Sequence, residues 1–150
     1  MLDITIRHRM AKKLKTPLRI TFPGEASQMA EVRARARNFL LTSQFDEENT
    51  ARLVMALDEA CTNILRHVYC GQLKPVRLEM RWMRDRLRCT LRDYGQPCDP
   101  QTIRGRKWDD IRPGGLGLRI IEEVFDRVEY APQARGTRLT LEKLLPPATT

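Results

Sequence analysis

No pair of cysteines in this chain has the CxxC spacing. Cys61, Cys70, Cys89 and Cys98 are scattered, and only His8 and His67 could add imidazole ligands, so no zinc site is expected. No apolar run approaches the roughly 18 residues of a membrane span. The opening stretch, MLDITIRHRMAKKLKTP, lacks the apolar centre of a secretory signal. These absences predict a reducing, cytoplasmic setting with free thiols. Internal repeats and low-complexity linkers are missing as well. There is no GxxxxGKS or GxxxxGKT phosphate loop, which excludes a Walker-type site. A helix-turn-helix pattern and aromatic interleaving are also lacking, which leaves little for direct nucleic-acid recognition.

What is present suits one globular domain. A chain of 150 residues can bury about 70% of its unfolded surface without a metal or disulfide staple. It is 41% hydrophobic and 31% charged, with a formal net charge of +8. That charge fits an acidic partner or a polyphosphate ligand, and it equally serves solubility.

Residues 1–16 form a basic extension with Arg7, Arg9, Lys12, Lys13 and Lys15. Leu18 to Phe22 alternates as a strand does, and Pro23-Gly24 ends it. Met29, Val32, Ala36, Phe39 and Leu40 recur at helical spacing, so Glu25 to Thr42 is expected as a helix. Asp46 offers the N-cap of a second helix running to about Val68, with Gly71 as its stop. Val76–Met83 and Arg86–Arg92 alternate around a turn at Arg84-Asp85. A loop of about 20 residues follows, long enough to suggest a functional lid. A short helix is expected over Leu116–Phe125, then strands over Val128–Ala131 and Thr137–Leu141. This order predicts an α+β fold: two layers, with helices on one face of a mostly antiparallel, mixed sheet.

Three motifs carry possible chemistry. In the second helix, Glu59, Asn63 and His67 are spaced by four and share one face. Leu53, Leu57, Ala60, Ile64 and Val68 form the apolar stripe beside it. Glu59 and Asn63 thus lie at a border where oxygen ligands can hold Mg²⁺, or where polar residues merely flank a core. Asp93-Tyr94-Gly95-Gln96 follows a strand. Its carboxylate could accept from an exocyclic amine, with Gly95 admitting a planar ring, or the segment could be a simple turn. Gly114-Gly115-Leu116-Gly117-Leu118 opens a helix, where backbone N–H groups can converge on an anion or the glycines can serve packing alone.

E-x-x-x-N on a helix, D-x-G after a strand, G-G-x-G-L opening a later helix and Gly136-Thr137 before the last strand occur in that order. The set resembles the ATP site of the GHKL superfamily, which has the Bergerat fold. Within it, Asp58-Glu59-Ala60-Cys61-Thr62-Asn63 with His67-Val68-Tyr69, Asp93-Tyr94-Gly95-Gln96-Pro97-Cys98-Asp99 and Pro113-Gly114-Gly115-Leu116-Gly117-Leu118 are similar to the segments of anti-sigma-factor serine kinases. The similarity covers residues 17–142 and leaves 143–150 as a tail. It departs from the family in the extension 1–16. The chain has no room for the dimerisation and phosphoacceptor hairpin of a complete sensor histidine kinase.

The resemblance implies a serine/threonine protein kinase using ATP and Mg²⁺. Glu59 would be the general base, and Asn63 would hold Mg²⁺. Asp93 would read the adenine amino group, supported by Gly95 and Thr137. Gly114, Gly115, Leu116, Gly117 and Leu118 would line the phosphates. Residues 99–113 would form a lid made basic by Arg104, Arg106, Lys107 and Arg112, with Arg112 facing the nucleotide. His67 joins the cofactor-binding set in a structural rather than catalytic role. The implied partners are a STAS-fold anti-sigma antagonist as phosphate acceptor, a sigma factor as sequestered target, and a second copy in a homodimer. The alternative is a nucleotide-dependent regulatory binding module without kinase turnover.

Overall fold

The computed structural model describes residues 16–69, 72–95 and 115–147, with side chains in the helix that begins at Gly115 described from Leu118 on. The elements run β1 (Leu18–Pro23), α1 (Met29–Leu40), α2 (Glu47–Asn63), β2 (Pro75–Trp82), β3 (Arg86–Arg92), α3 (Gly115–Val124), β4 (Arg127–Pro132) and β5 (Thr137–Leu144). The strands form one sheet in the order β1-β2-β3-β5-β4, and every pair is antiparallel. The expected mixed sheet is thus wholly antiparallel among the described residues. The helices cover one face, as expected for an α+β fold.

The period of two sorts each strand. Ile20 and Phe22, Val76, Leu78 and Met80, Leu87, Cys89 and Leu91, and Leu139 and Leu141 face the helices and are buried. Helix α1 answers with Met29, Val32, Ala36 and Leu40. Helix α2 contributes Leu53, Ala56, Leu57, Ala60 and Cys61. Cys61 and Cys89 are free and fully buried in this core. Burial pushes both thiols up, Cys61 to about 12 with help from the Asp58 charge, so neither is a nucleophile near neutrality. Cys70 and Cys98 lie outside the described residues.

Several boundaries differ from the expected ones. The first helix begins as a 3-10 turn, Ala26–Gln28, and becomes α-helical only at Met29. It stops at Leu40, where the hydroxyls of Thr42 and Ser43 donate to the carbonyls of Phe39 and Leu40 at 2.8 and 2.5 Å. Helix α2 starts at the expected cap. The Asp46 carboxylate accepts from the Asn49 N–H at 2.7 Å, an arrangement worth about 1 kcal/mol. Its α-geometry ends at Asn63, and Ile64–Tyr69 continues as a π-helical turn. Strand β5 runs on to Leu144 because Glu142 is neutralised in place. Its carboxylate, only 2% exposed, accepts from Arg86 Nη1 at 2.9 Å and Arg88 Nε at 2.8 Å. No described helix is long and apolar enough to cross a membrane.

Candidate functional site

The π-helical turn does the joining. A wider turn shifts the phase of the residues that follow, so the four-residue spacing from Asn63 to His67 no longer keeps them on one face. Glu59 and Asn63 remain half-buried on α2, while His67 is exposed. The same shift directs Val68 and Tyr69 toward the end of β3. Tyr69 is buried, and its hydroxyl donates to the Pro75 carbonyl at 2.6 Å. The Tyr69 hydroxyl oxygen also accepts the Tyr94 N–H at 2.9 Å. One phenol therefore ties the end of α2 to the start of β2 and to the D-x-G turn after β3.

Val68 explains the glycine in that turn. A Cβ on Gly95 would lie 2.1 Å from Val68 Cγ1, closer than any real contact. Sequence reasoning assigned Gly95 to the approach of a planar ring, whereas here it is the helix end that approaches. Gly136 meets the turn from the other side. Its φ of 77° is left-handed, and a Cβ there would lie 2.1 Å from the Asp93 carbonyl oxygen. The Asp93 N–H donates to the Thr137 carbonyl at 3.1 Å. Two separate segments, the helix end and the start of β5, thus close on Asp93-Tyr94-Gly95.

Asp93 is buried, at 4% exposure. Burial pushes its carboxyl above the usual range. The N–H groups of Gly95 and Thr137 and the Arg92 charge pull the other way without cancelling the effect. The Gly95 N–H donates to Oδ1 at 3.0 Å. A buried carboxylate held by backbone donors is suited to receive an amine proton from a ligand, because such an acceptor gains more in a dry site than in water. Thr137 is buried beside it.

The glycine box is seen in part. Gly115 and Gly117 fall in the first turn of α3, as do Leu116 and Leu118, and Leu118 is half-buried. Helix α3 packs on α2 through Ile121 and Val124, both in the core. Gly114, Arg112, Arg104, Arg106 and Lys107 lie outside the described residues, as do the basic extension through Lys15 and the proposed lid.

Among the described residues no group of three or more His, Cys, Asp or Glu side chains could cage a metal. A carboxylate and an amide four residues apart fit Mg²⁺ all the same, because that ion keeps several waters and takes few protein ligands beside substrate phosphates. Two residues escaped sequence reasoning as parts of this site: Tyr69, quoted only as part of a family segment, and Val68, placed in the apolar stripe. No local sequence signal marks the π-helical turn that redirects them.

The family profile described as "Histidine kinase-like ATPase domain" matches residues 22–143. Serine-protein kinase RsbW of Halalkalibacterium halodurans is 25% identical over 136 residues, covering 85% of this chain and 83% of the relative. Serine/threonine-protein kinase BtrW of Bordetella bronchiseptica is 30% identical over 94 residues, covering 59% and 66%. Among solved structures, the RsbU and RsbW domains of a Mycobacterium tuberculosis protein superpose with a TM-score of 0.65 at 24% identity. That match covers 89% of this chain and 34% of the other, so this chain spans about a third of it. The SiaB–SiaC complex of Pseudomonas aeruginosa gives 0.62 at 16% identity, covering 95% and 96%. These two likenesses show the fold.

Proposed function

The chain belongs to the histidine kinase-like ATPase domain family of the GHKL superfamily, and from that premise we propose that it is an ATP-dependent serine/threonine protein kinase acting in the cytoplasm. One observation carries the reading. The end of α2, which bears Glu59 and Asn63, is locked onto the D-x-G turn by Val68 against Gly95 and by the Tyr69 hydroxyl. Two motifs 30 residues apart in sequence therefore flank one site. The names of the RsbW and BtrW relatives support the serine/threonine specificity.

In this reading Asp93 accepts the adenine amino group, with Gly95 and Thr137 shaping its surroundings. The backbone N–H groups at Gly115 and Gly117 receive the phosphates at the positive end of α3. Asn63 contributes an oxygen to Mg²⁺, which when bound neutralises phosphate charge. Glu59 accepts the proton of a serine or threonine hydroxyl as that oxygen bonds to the γ-phosphorus and the bond to ADP breaks. Arg112 and the basic lid offset the charge spread over the transferring group. His67 supports the helix end and takes no part in proton transfer. The acceptor is a STAS-fold antagonist. A homodimer of the unoccupied kinase sequesters a sigma factor. The family segments around Glu59, Asp93 and Gly115 support these last two assignments.

Calorimetry with ATP and Mg²⁺ tests the site. Wild type is expected to bind at the micromolar scale, on the order of −8 kcal/mol. Asn63→Ala and Asp93→Ala should each weaken binding about tenfold or more, roughly 1.4 kcal/mol. Glu59→Ala should keep binding and lose phosphate transfer to a purified STAS-domain antagonist. ATP binding with no transfer by wild type would leave a regulatory binding module, and no ATP binding would remove the reading altogether.

A further inference from the structure

The face of the sheet turned away from the helices carries an unusual row. The register places Arg77 on β2 directly opposite Arg92 on β3, and Arg92 directly opposite Arg138 on β5. Like charges directly opposite one another destabilise a sheet. Neighbouring arginines have carboxylate partners: Arg86 and Arg88 pair with Glu142, and Arg19 and Arg81 with Glu79. Among the described residues no carboxylate forms an ion pair with Arg77, Arg92 or Arg138, although the Arg92 charge acts on the adjacent Asp93. Arg92 donates instead to the carbonyls of Asp93 and Thr137. The guanidiniums of Arg77 and Arg92 lie over the ring of Tyr94, at 5.6 and 4.6 Å from its centroid. Arg77 and Arg138 are exposed. The row lines an open basin of about 830 Å³ on this face.

Arg81 also stands opposite Arg88, but those two are held by Glu79 and Glu142, whereas the Arg77–Arg92–Arg138 row keeps the same cost with no carboxylate to offset it, which is the mark of a site rather than of general solubility. We propose that the Arg77–Arg92–Arg138 row, backed by Tyr94, is the docking site for an acidic segment of a protein partner, on the opposite face of the sheet from the nucleotide cleft. Arginine forks take carboxylates bidentately, and the Tyr94 ring holds two of them in place at low entropic cost. A second copy of this chain fits poorly, because the glutamates of this face are already engaged by its own arginines and two positive faces would meet. Nucleic acid fits poorly as well. Glu79, Glu129 and Glu142 stand among the arginines, and the one aromatic ring at the row is already covered by guanidiniums. The proposal depends on the sheet face alone and stands or falls apart from the kinase chemistry.

The test is fluorescence anisotropy of a labelled decaglutamate peptide at low salt, with the full chain. The row is weakened by Arg77→Gln with Arg138→Gln. The control removes the same charge from the helical face by Arg33→Gln with Arg37→Gln. The row variant should lose about tenfold in affinity while the control stays near wild type. Its melting temperature should not fall, because a repulsion has been relieved. Arg77→Lys with Arg138→Lys keeps the charge and should bind between the two, which guards against a variant that fails to fold. Equal losses in the row and control variants would reduce the effect to net charge and overturn the proposal. So would the absence of peptide binding, or tighter binding of a ten-residue oligothymidine. A dimer-to-monomer shift of the row variant in sedimentation would mark the face as an interface between copies, with the same consequence.

Discussion

Replacing Gly95 by alanine should damage both the fold and the site, and the damage should trace to a single neighbour. The added Cβ would fall 2.1 Å from Val68 Cγ1 but 3.5 Å from Val68 Cβ and from Asp93 Oδ1. Only the first distance is a clash. Val68 is β-branched, so it cannot turn its methyl aside without leaving its rotamer. Overpacking of this kind costs about 1–3 kcal/mol. Val68→Ala alone removes half-buried methyl groups, for about 1 kcal/mol. In the double variant the clashing atom is gone. The cost should therefore be close to that of Val68→Ala rather than the sum, a coupling of about 1–3 kcal/mol in its favour. Urea denaturation measures all four corners of the cycle. A chain of this size should show the single Gly95→Ala change as a fall of about 2–4 °C in melting temperature per kcal/mol. ATP titration of the same proteins should show affinity lost in Gly95→Ala and regained in the double variant. Additive stabilities, within about 0.5 kcal/mol, would refute the packing account of this glycine.

Two further predictions concern buried polar groups. Tyr69→Phe removes the hydroxyl that joins Pro75 to Tyr94, and should destabilise by about 1 kcal/mol because a part-buried N–H and carbonyl lose their partner. The variant should also weaken ATP binding, and unchanged affinity would show that the strut serves the fold alone. Glu142→Gln should cost about 2 kcal/mol at pH 7, less than a fully buried pair because its arginines are a third to a half exposed. Burial works to raise the Glu142 carboxyl, but the hydrogen bonds from Arg86 and Arg88 prevail and hold it below the ordinary value. Its contribution is then fully present above the unfolded glutamate value and fades as pH falls through the lower folded one. Stability curves of wild type and variant should converge in that acid window, and a constant gap down to the lowest pH would argue against the ion-pair account.

Much of the fold was legible because hydrophobic periodicity is a local property. The alternation in β2 and β3 and the stripe of α2 each point one way, and Asp46 caps where its chemistry says it should. The ends were less legible. Glu142 reads as an exposed charge ending the strand, and it is arginines from β3 and β4 on the outer face of the sheet that cover and pair with it. The π-helical turn is likewise invisible in the sequence. Nothing in Ile64–Tyr69 forbids another α-turn, and its packing against Gly95 and Pro75 accompanies the wider one.

The candidate site divides in the same way. The sequence by itself determined which residue types were available and in what order: a carboxylate and an amide four apart on a helix, a D-x-G turn, and glycines opening a helix. Those follow from spacing along one element, where geometry is set by the backbone's own period. Tertiary structure decided what meets what. It brought Tyr69 and Val68 to the Asp93 turn, raised the Asp93 carboxyl by burying it, and lined Arg77, Arg92 and Arg138 across three strands. Contacts between distant segments depend on strand register and on helix phase at the point of contact, and a single chain of letters specifies those only through the packed core that selects them.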